Sequence, residues 1–319
     1  MTFLLITLAV VLTIALLLWL FTFHTARRVE LALPPEGRFV AVGGSNLHVL
    51  DVGQGPSVLL IHGLSGHLKH FSYGVMAQLA KDYRVVALDR PGSGYSSPAA
   101  TADLETQADI VSGLIDALDL GKPLIVGHSL GGALALTLAL RHPQQAAGLA
   151  LIAPLTHLPG APSKAFSALT IRQDWLRHLV AWTLAVPLMI IGRKLTVDIV
   201  FGPEPFPRNF PFKGGGMLGL RPSHFVAASR DLNAIPLSLP AQQLRYASLR
   251  LPVSILYGRQ DRILDPEFHG TSLANIVPGA ELQWVDGGHM LPVTQPEVTA
   301  AFIRKAAQRS AEVPAAQPA

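Results

Sequence analysis

The chain has 319 residues, of which 50% are hydrophobic and 14% are charged, and its formal net charge is +4. This composition excludes a largely disordered chain, because disorder requires low hydrophobicity and high charge. The basic residues are scattered rather than interleaved with aromatic ones, which argues against nucleic acid as a partner. The sequence contains no cysteine, so disulfides, thiolate catalysis and cysteine-based zinc sites are excluded.

The first segment is apolar enough to cross a membrane. Residues 3–21, FLLITLAVVLTIALLLWLF, carry no charge, and a helix of 19 residues spans about 28 Å, close to the hydrocarbon thickness of a bilayer. A cleaved signal peptide would need a basic start and a small-x-small cleavage site, and the sequence has neither. We therefore predict a transmembrane anchor over residues 1–28. Arg27 and Arg28 follow the apolar run, so the positive-inside rule places the rest of the chain in the cytoplasm.

Short apolar runs alternate with helical periodicity over most of the remaining chain. The runs predict strands at 38–42, 47–52, 57–63, 84–89, 123–127, 148–154, 253–258 and 281–286. Helical periodicity is clear at 103–120 and 131–142, and GGSN at 43–46 predicts a hairpin between the first two strands. This order is typical of an α/β fold with a mostly parallel, doubly wound sheet. We assign residues 29–154, which begin with a short stiff linker, and residues 251–308 to its two parts.

Residues 155–250 interrupt the alternation of strands and helices, and the segment is too long for a loop of a compact domain. We predict an inserted helical cap. Its most apolar stretch, 175–192, is not a second membrane span, because Arg177 and His178 interrupt it and Pro187 would kink it. Two alternatives remain open for this stretch. It lies in the membrane interface and contacts lipids, as the anchor does, or it is buried against the main domain.

Two other segments have weaker signals. GGGMLGLRPSHF, at 214–225, indicates a flexible loop near the cap and nothing more specific. The end of the chain, RSAEVPAAQPA, is rich in alanine and proline and follows the last helical pattern. We predict a disordered tail over residues 309–319.

A serine lies between two glycines where the fifth predicted strand meets a helix. The sequence GHSLG, at 127–131, follows PLIV and precedes GALALTLALRH. In this strand–turn–helix context, G-x-S-x-G presents a nucleophile. Gly127 and Gly131 let neighbouring segments approach, and Ser129 would adopt a strained backbone conformation at a helix N-terminus that favours negative charge. We therefore predict Ser129 as a catalytic nucleophile.

A serine nucleophile requires a base, and the base requires an acid that orients it. VDGGHMLP places His289 directly after the last strand, in a glycine-rich loop at the carboxyl edge of the sheet. His128 is adjacent to Ser129 but would point away, so we predict His289 as the base. Asp261 directly follows the preceding strand, whereas Asp265 precedes a proline and is better suited to cap the next helix. We predict Asp261 as the acid, which gives the chain order Ser, Asp, His.

Negative charge on a reacting carbonyl oxygen needs two hydrogen-bond donors aimed at one point. The backbone N–H of Leu130, directly after the predicted nucleophile, is the first candidate. The second is the backbone N–H of Leu64 in IHGLSGH, the loop after the third strand. His62 and Gly63 would shape that loop, and His128 would shape the site by packing.

These motifs together resemble the α/β-hydrolase superfamily. HGLSG, DRPGSGYS, GHSLGG, GRQDRILDP and GGHMLP occur in the order and at the spacings of that family, over roughly residues 37–306. The resemblance implies an α/β-hydrolase fold, catalytic roles for Ser129, Asp261 and His289, and oxyanion roles for the two backbone N–H groups named above. With its predicted anchor, the chain is also similar to membrane-anchored monoacylglycerol lipases. This implies a serine hydrolase that acts on an ester, with a lipidic substrate, and no metal or organic cofactor is expected.

The sequence leaves other functions open. The same serine, histidine and aspartate can cleave a C–C bond, an amide or a lactone, or carry out perhydrolysis. A non-catalytic, membrane-bound binding module is a further alternative, and the loss of a catalytic residue would be typical of it. All three residues are present, which favours an enzyme.

Overall fold

The computed structural model describes residues 1–158, 160 and 163–312, and an eight-stranded sheet lies at its centre. The strands are β1 Arg38–Val42, β2 Ser45–Val52, β3 Ser57–Ile61, β4 Arg84–Leu88, β5 Leu124–His128, β6 Gly148–Ile152, β7 Val253–Gly258 and β8 Glu281–Val285. Their order in the sheet is β1-β2-β4-β3-β5-β6-β7-β8. All eight predicted strands are present, and each end lies within two residues of its predicted position.

The sheet is mostly parallel. The first two strands form the predicted hairpin, and β2 also pairs antiparallel with β4, whereas all other neighbours are parallel. The central strands β3, β5, β6 and β7 are almost completely buried. Burial on both faces explains why these strands have continuous apolar runs instead of an alternating pattern. The parallel arrangement brings the carboxyl ends of these strands to one edge, where ligands of such sheets bind.

Helices cover both faces of the sheet. The α-helices of the described residues are α1 Thr2–Ala32, α2 Lys69–Ser72, α3 Val75–Leu79, α4 Leu104–Ala117, α5 Leu130–Arg141, α6 Asp174–Val180, α7 Val186–Phe201, α8 Pro222–Gln243, α9 Ser272–Ile276, α10 Leu291–Thr294 and α11 Pro296–Glu312. One apolar cluster contains Leu114 of α4 and Leu134 of α5, and a second contains Phe71 of α2 and Ile303 of α11. The predicted doubly wound α/β arrangement is therefore confirmed.

The residues predicted as a cap form α6, α7 and α8 between β6 and β7. A π-helical turn, Ala181–Ala185, joins α6 to α7 directly before Pro187, so the helical backbone continues past the proline. This segment has a buried side, where Ala181 and Ala185 pack with Phe225 of α8. It also has an exposed apolar side: Trp175, Leu179, Leu184, Leu188, Ile190 and Ile191. Burial against the rest of the chain thus describes one side of the segment, and contact of the exposed side with the membrane interface stays a prediction.

The glycine run at 214–216 is closely packed, which differs from the flexible loop expected there. Gly215 has a φ of +71°, a conformation that favours glycine, and a Cβ on it would overlap the ring of His67. A Cβ on Gly214 would overlap the ring of Phe210. The glycines are therefore needed where the cap turns tightly against the core.

The first helix is longer than the predicted span and contacts the cap. α1 continues to Ala32, so the first residues of the predicted linker are helical. Its last turns pack in an apolar cluster with Leu218, and the ring centroid of Trp19 lies 6.3 Å from that of Trp182. Among the described residues, α1 is long and apolar enough to cross a membrane. Its most apolar window has a mean hydropathy of 2.9, and none of that window is buried.

The last helix also extends beyond its expected end. α11 continues to Glu312, so the first residues of the segment predicted as a disordered tail are helical. Nε of Arg309 in this helix lies 3.2 Å from a carboxylate oxygen of Glu281 in β8. Residues 313–319, which complete the predicted tail, lie outside the described residues.

Candidate active site

Ser129 occupies a sharp turn between β5 and α5. Its φ of +54° and ψ of −119° form a conformation that L-residues rarely adopt. Its N–H donates to the carbonyl oxygen of Ile152 at 3.0 Å, and its own carbonyl oxygen accepts from the N–H groups of Gly132 and Leu155. These bonds hold the strained turn from both sides. The residue lies at the N-terminus of α5 and is 7% exposed.

The glycines around Ser129 are required by close backbone approach. A Cβ on Gly127 would overlap the carbonyl oxygen of Gly131, and a Cβ on Gly131 would overlap that of His62. A Cβ on Gly63 would lie 2.8 Å from the Cβ of Ser129, closer than real Cβ atoms approach. The loop after β3 therefore lies directly against the serine turn.

Asp261 and His289 form a buried hydrogen bond. Nδ1 of His289 lies 2.7 Å from Oδ2 of Asp261, and the carboxylate is fully buried. The other carboxylate oxygen accepts from the backbone N–H groups of Ile263 and Leu264, at 2.8 and 3.0 Å. Because Nδ1–H donates to the carboxylate, Nε2 is the ring nitrogen left to exchange a proton with another group. The two side chains come from the loops after β7 and β8.

Asp265 has a different local role. Its Oδ1 accepts from the N–H groups of Glu267 and Phe268, at 2.9 and 3.0 Å. This is the pattern of a helix N-cap. Within the described residues, no hydrogen bond joins Asp265 to His289. The geometry thus separates the two candidate acids, since only Asp261 contacts the imidazole.

Two backbone N–H groups beside Ser129 are free. Leu130 is the first residue of α5, so its N–H precedes the intrahelical hydrogen bonds. Leu64 follows Gly63 in the loop after β3. In the part of the chain that the structure describes, neither N–H donates a hydrogen bond to another residue. Both residues line the same cavity as Ser129, so two donors are available there.

His62 fixes the loop that carries Leu64. Its Nδ1 donates to the carbonyl oxygen of Gly63 at 2.8 Å, and its Nε2 accepts from the backbone N–H of Arg90 at 3.0 Å. Burial, and then the nearby Arg90 guanidinium, hold the pKa of His62 well below its usual value, so the ring stays neutral. The side chain therefore holds the loop after β3 against the segment that begins at Arg90.

Arg90 connects this loop to the cap, a role that the sequence did not indicate. The side chain is fully buried and donates to the carbonyl oxygens of His62 and Gly63, at 3.1 and 3.2 Å. It also pairs with Asp231 of α8 at 2.7 Å. The only sequence signal was the DRPGSGYS turn itself, which does not specify a partner in the cap.

His128 packs against the loop of His289. Its Nε2 donates to the backbone carbonyl oxygen of His289 at 2.9 Å, and the two ring centroids are 5.0 Å apart. Burial, followed by the neighbouring His289, holds the pKa of His128 well below its usual value. His128 is therefore neutral and supports the backbone of His289.

Glu204 of the cap is a second residue that sequence reasoning missed. Its carboxylate accepts from the backbone N–H of Gly288, directly before His289, at 2.9 Å. It also accepts from the side chains of Gln295 and Thr294, at 3.0 and 3.2 Å. Glu204 thus holds the His289 loop by hydrogen bonds to residues before and after His289. No motif marks this residue, because it lies in an irregular segment far from that loop in the chain.

Ser129 lines a mainly apolar cavity of about 450 Å³. The apolar side chains that line it are Leu64, Leu130, Leu155, Phe166, Leu232, Ile235, Ile263, Leu264 and Phe268. His269 also lines it, and burial lowers the pKa of this histidine to about 4, so the cavity contains a neutral imidazole. Within the described residues, no group of three His, Asp or Glu side chains is arranged to bind a metal ion.

The sheet order and these loops match a known family. A family model described as alpha/beta hydrolase fold matches residues 56–296, more than two thirds of the chain. The chain belongs to the α/β-hydrolase family. The predicted α/β-hydrolase fold is thereby confirmed, and the chain is a hydrolase of that family.

The chain is similar to several named enzymes and solved structures. The chain is 26% identical over 263 residues to 2-hydroxy-6-oxo-6-phenylhexa-2,4-dienoate hydrolase from Burkholderia cepacia, a match that covers 79% of this chain and 89% of that protein. It is similar to the solved structure of a membrane phospholipase A, a bacterial virulence factor, with 25% identity, a TM-score of 0.69, and coverage of 98% of this chain and 100% of that one. A dihydrolipoyllysine-residue acetyltransferase component of an acetoin cleaving system from Pseudomonas putida is 39% identical over 122 residues. That match spans 37% of this chain and 33% of that protein.

Proposed function

We propose that this chain is a serine hydrolase of carboxylic esters, with Ser129 as nucleophile, His289 as base and Asp261 as the orienting acid. One observation carries the proposal. Nδ1 of His289 lies 2.7 Å from Oδ2 of the buried Asp261, at the same edge of the sheet where Ser129 occupies its strained turn. A nucleophile activated by an imidazole that a carboxylate orients is the arrangement these three residues can form at this edge of the sheet.

The reaction proceeds through an acyl-enzyme. Oγ of Ser129 attacks the ester carbonyl carbon while Nε2 of His289 accepts its proton, and the Asp261 carboxylate stabilises the imidazolium. The backbone N–H groups of Leu64 and Leu130 donate to the carbonyl oxygen as it becomes negative. His289 then protonates the leaving alkoxide. A water molecule, deprotonated by the same nitrogen, releases the acid and restores the serine.

The surrounding side chains keep the reacting groups in place. We assign positioning roles to His128 and Glu204, which contact the backbone on either side of the reacting imidazole, and to Arg90, which holds the Leu64 loop. Preorganised donors and bases matter because small displacements from the productive geometry reduce the rate steeply. None of these three side chains exchanges a proton with the substrate in this mechanism.

The proposed substrate is a lipidic ester such as a monoacylglycerol or a phospholipid. The Ser129 cavity is mainly apolar and suits an acyl chain. The matched phospholipase A structure supports a membrane substrate, because 98% coverage leaves out about six residues and so includes most of α1. Under this proposal α1 anchors the chain, Arg27 and Arg28 lie at the cytoplasmic face, and residues 155–250 act as the cap over the site.

A C–C bond hydrolase is the second candidate. It is favoured by the match to the Burkholderia cepacia dienoate hydrolase, which covers most of both chains. The polar His269 in the cavity would suit a substrate that carries oxygen atoms near the scissile bond. The two candidates share Ser129, so only substrates separate them.

The test is an initial-rate panel with purified full-length protein in detergent. The substrates are p-nitrophenyl esters from acetate to palmitate and a 2-hydroxy-6-oxo-dienoate, and Ser129→Ala is the matched control. We expect Ser129-dependent hydrolysis that peaks at medium or long acyl chains. A peak at acetate would remove the lipidic substrate from the proposal. Turnover of the dienoate alone would replace ester hydrolysis with C–C hydrolysis.

A further inference from the structure

A second cavity, of about 710 Å³, lies against a different face of α8 from the cavity of Ser129. The two cavities share no lining residue among the described residues. The walls of the second one are the loop 91–102 after β4, the cap segment around Trp182, and the first half of α8. The proposed ester hydrolysis does not use this cavity.

A buried, unpaired arginine lines this second cavity. Arg221 is 4% exposed, and its Nη2 donates to the carbonyl oxygen of Gly94. The guanidinium carbon lies 4.4 Å from the ring centroid of Tyr95, and the buried Nε has no hydrogen-bond partner. No ion pair joins Arg221 to a carboxylate in the described part of the chain. A buried cation without an anion is energetically costly, so a guanidinium kept in this state is a candidate for binding an anionic ligand.

The other charges of the cavity leave an excess of positive charge. Arg230 also lines it and makes one hydrogen bond, from Nη2 to the carbonyl oxygen of Ala100 at 3.2 Å. The two carboxylates in the lining already have partners, since Asp174 pairs with Arg177 at 2.8 Å and Asp231 pairs with an interior arginine at 2.7 Å. In the described part of the chain, neither Arg221 nor Arg230 forms an ion pair with a carboxylate, although Glu30 and Asp89 interact electrostatically with Arg221 over a longer distance.

The N-terminus of α8 adds to this positive potential. α8 has 22 residues and no side-chain cap, and its first residues, Pro222 and Ser223, line the cavity. The N-terminal end of a helix carries partial positive charge, which favours phosphate and other anions. Pro222 has no N–H, and the N–H groups of His224 and Phe225 donate to the carbonyl oxygen of Arg221, so Ser223 provides the N–H that remains available in this turn. A helix terminus and two unpaired guanidinium groups therefore converge on one cavity.

The cavity also lies beside the proposed anchor. Trp182 lines it, and the ring of Trp182 lies 6.3 Å from Trp19 of α1, measured between centroids. Aromatic residues of this kind are enriched at the level of lipid headgroups. We propose that this cavity binds a phosphate-bearing anion, either the headgroup of an anionic phospholipid or a free phosphate ester. This second site is distinct from the catalytic serine, and it does not depend on the proposed ester hydrolysis.

The test measures binding to the full-length protein in detergent by isothermal titration calorimetry. The Ser129→Ala background prevents any hydrolysis of the probes, so the result is independent of catalysis. The probes are inorganic phosphate, glycerol 3-phosphate and dihexanoylphosphatidylglycerol. The variants are Arg221→Gln and Arg230→Gln, and Arg193→Gln is the matched control because Arg193 is an exposed arginine of the cap outside the cavity.

We expect binding of at least one probe, with a Kd that rises about tenfold or more in each cavity variant, since hydrogen bonds to charged groups contribute strongly. Arg193→Gln leaves the Kd unchanged. Binding of phosphate and glycerol 3-phosphate identifies a free phosphate ester as the ligand, and binding of the lipid alone identifies a headgroup. The proposal is overturned if no probe binds, or if Arg193→Gln weakens binding as much as Arg230→Gln does. Arg230 is only half-buried, so its variant decides the matter if Arg221→Gln fails to fold.

Discussion

The sheet and the cap bury their apolar side chains to very different extents. Strands β3, β5, β6 and β7 are almost entirely buried, whereas Leu188 and Ile191 of α7 are 59% and 80% exposed. Exposed apolar surface of this kind is typical of sites that contact another protein, a ligand or a membrane. Under the proposed function, the sheet would hold the reacting groups, while the cap would place the molecule at the membrane and select its substrates.

The cap nevertheless contributes contacts to the sheet side of the site. Asp231 pairs with the buried Arg90 behind the Leu64 loop, and Glu204 accepts from the N–H of Gly288. These contacts are short and specific, unlike the exposed apolar face of α7. Single substitutions can therefore test separately whether a cap residue supports the proposed active site or contributes to contact with a membrane.

The largest effect is expected in the sheet loops. Asp261→Asn should lower kcat for a p-nitrophenyl ester by about 10⁴-fold, because the amide no longer holds the required tautomer of His289. Asp265→Asn, the matched control, should retain activity within a few-fold, because it only caps a helical turn. The reverse order of the two variants would assign the acid to Asp265.

A smaller effect is expected where the cap contacts the sheet. Glu204→Gln should lower kcat about tenfold with little change in KM or melting temperature, because it weakens a charged acceptor beside the proposed base. Glu297→Gln, an exposed carboxylate on α11, is the control and should change neither constant. A rise in KM at constant kcat would mean that Glu204 contacts substrate instead of holding the His289 loop.

A several-fold effect is expected on the exposed face of the cap. The triple variant Leu188→Ser, Ile191→Ser and Leu195→Ser should hydrolyse lipid esters in vesicles several-fold more slowly, because apolar area that enters the interface is lost. Hydrolysis of soluble p-nitrophenyl butyrate should stay unchanged. Leu237→Ser with Leu244→Ser removes one exposed leucine in α8 and one directly after it, and this double variant is the matched control. Equal losses in both variants would show that the α7 face has no special role at the membrane.

A last effect concerns stability at mildly acidic pH instead of the reaction rate. Burial lowers the pKa of His70 to about 4 and that of His224 to about 3. The unfolded chain therefore binds more protons than the folded chain below about pH 6.5, and stability falls as the pH decreases toward 4. His70→Gln should make the melting temperature less sensitive to pH between 6.5 and 4.5, with an effect of up to about 1.4 kcal/mol per pH unit. An unchanged slope would mean that His70 is protonated in the folded state.

Local patterns predicted the strands well, and the structure places the three proposed reacting residues in loops at one edge of the sheet. A buried strand followed by GHSLG specifies a turn around Ser129 whatever the rest of the chain does, and His289 follows the last strand directly. By contrast, the contacts of Arg90 with Asp231 and of Glu204 with Gly288 join residues 141 and 84 positions apart. Such pairings depend on how the cap packs on the sheet, and no periodicity or spacing in the sequence encodes that packing.

The end of α1 and the packing of the glycine run could not be predicted from the local sequence either. The apolar run of α1 ends near Phe23, yet the helix continues to Ala32 because its last turns pack against Leu218 of the cap. The glycines at 214 and 215 resemble a flexible linker in sequence, yet they are required by the rings of Phe210 and His67. In both cases a tertiary contact determined the local structure.

The central claim, that Ser129 is the nucleophile activated by His289 and Asp261, is tested most directly by covalent labelling. Full-length protein in detergent is treated with a fluorophosphonate, digested and mapped by mass spectrometry, with Ser129→Ala and Asp261→Asn alongside. We expect one stoichiometric adduct on Ser129, none in Ser129→Ala, and much slower labelling in Asp261→Asn. An adduct on another residue, or labelling of Ser129 at an unchanged rate in Asp261→Asn, would contradict it.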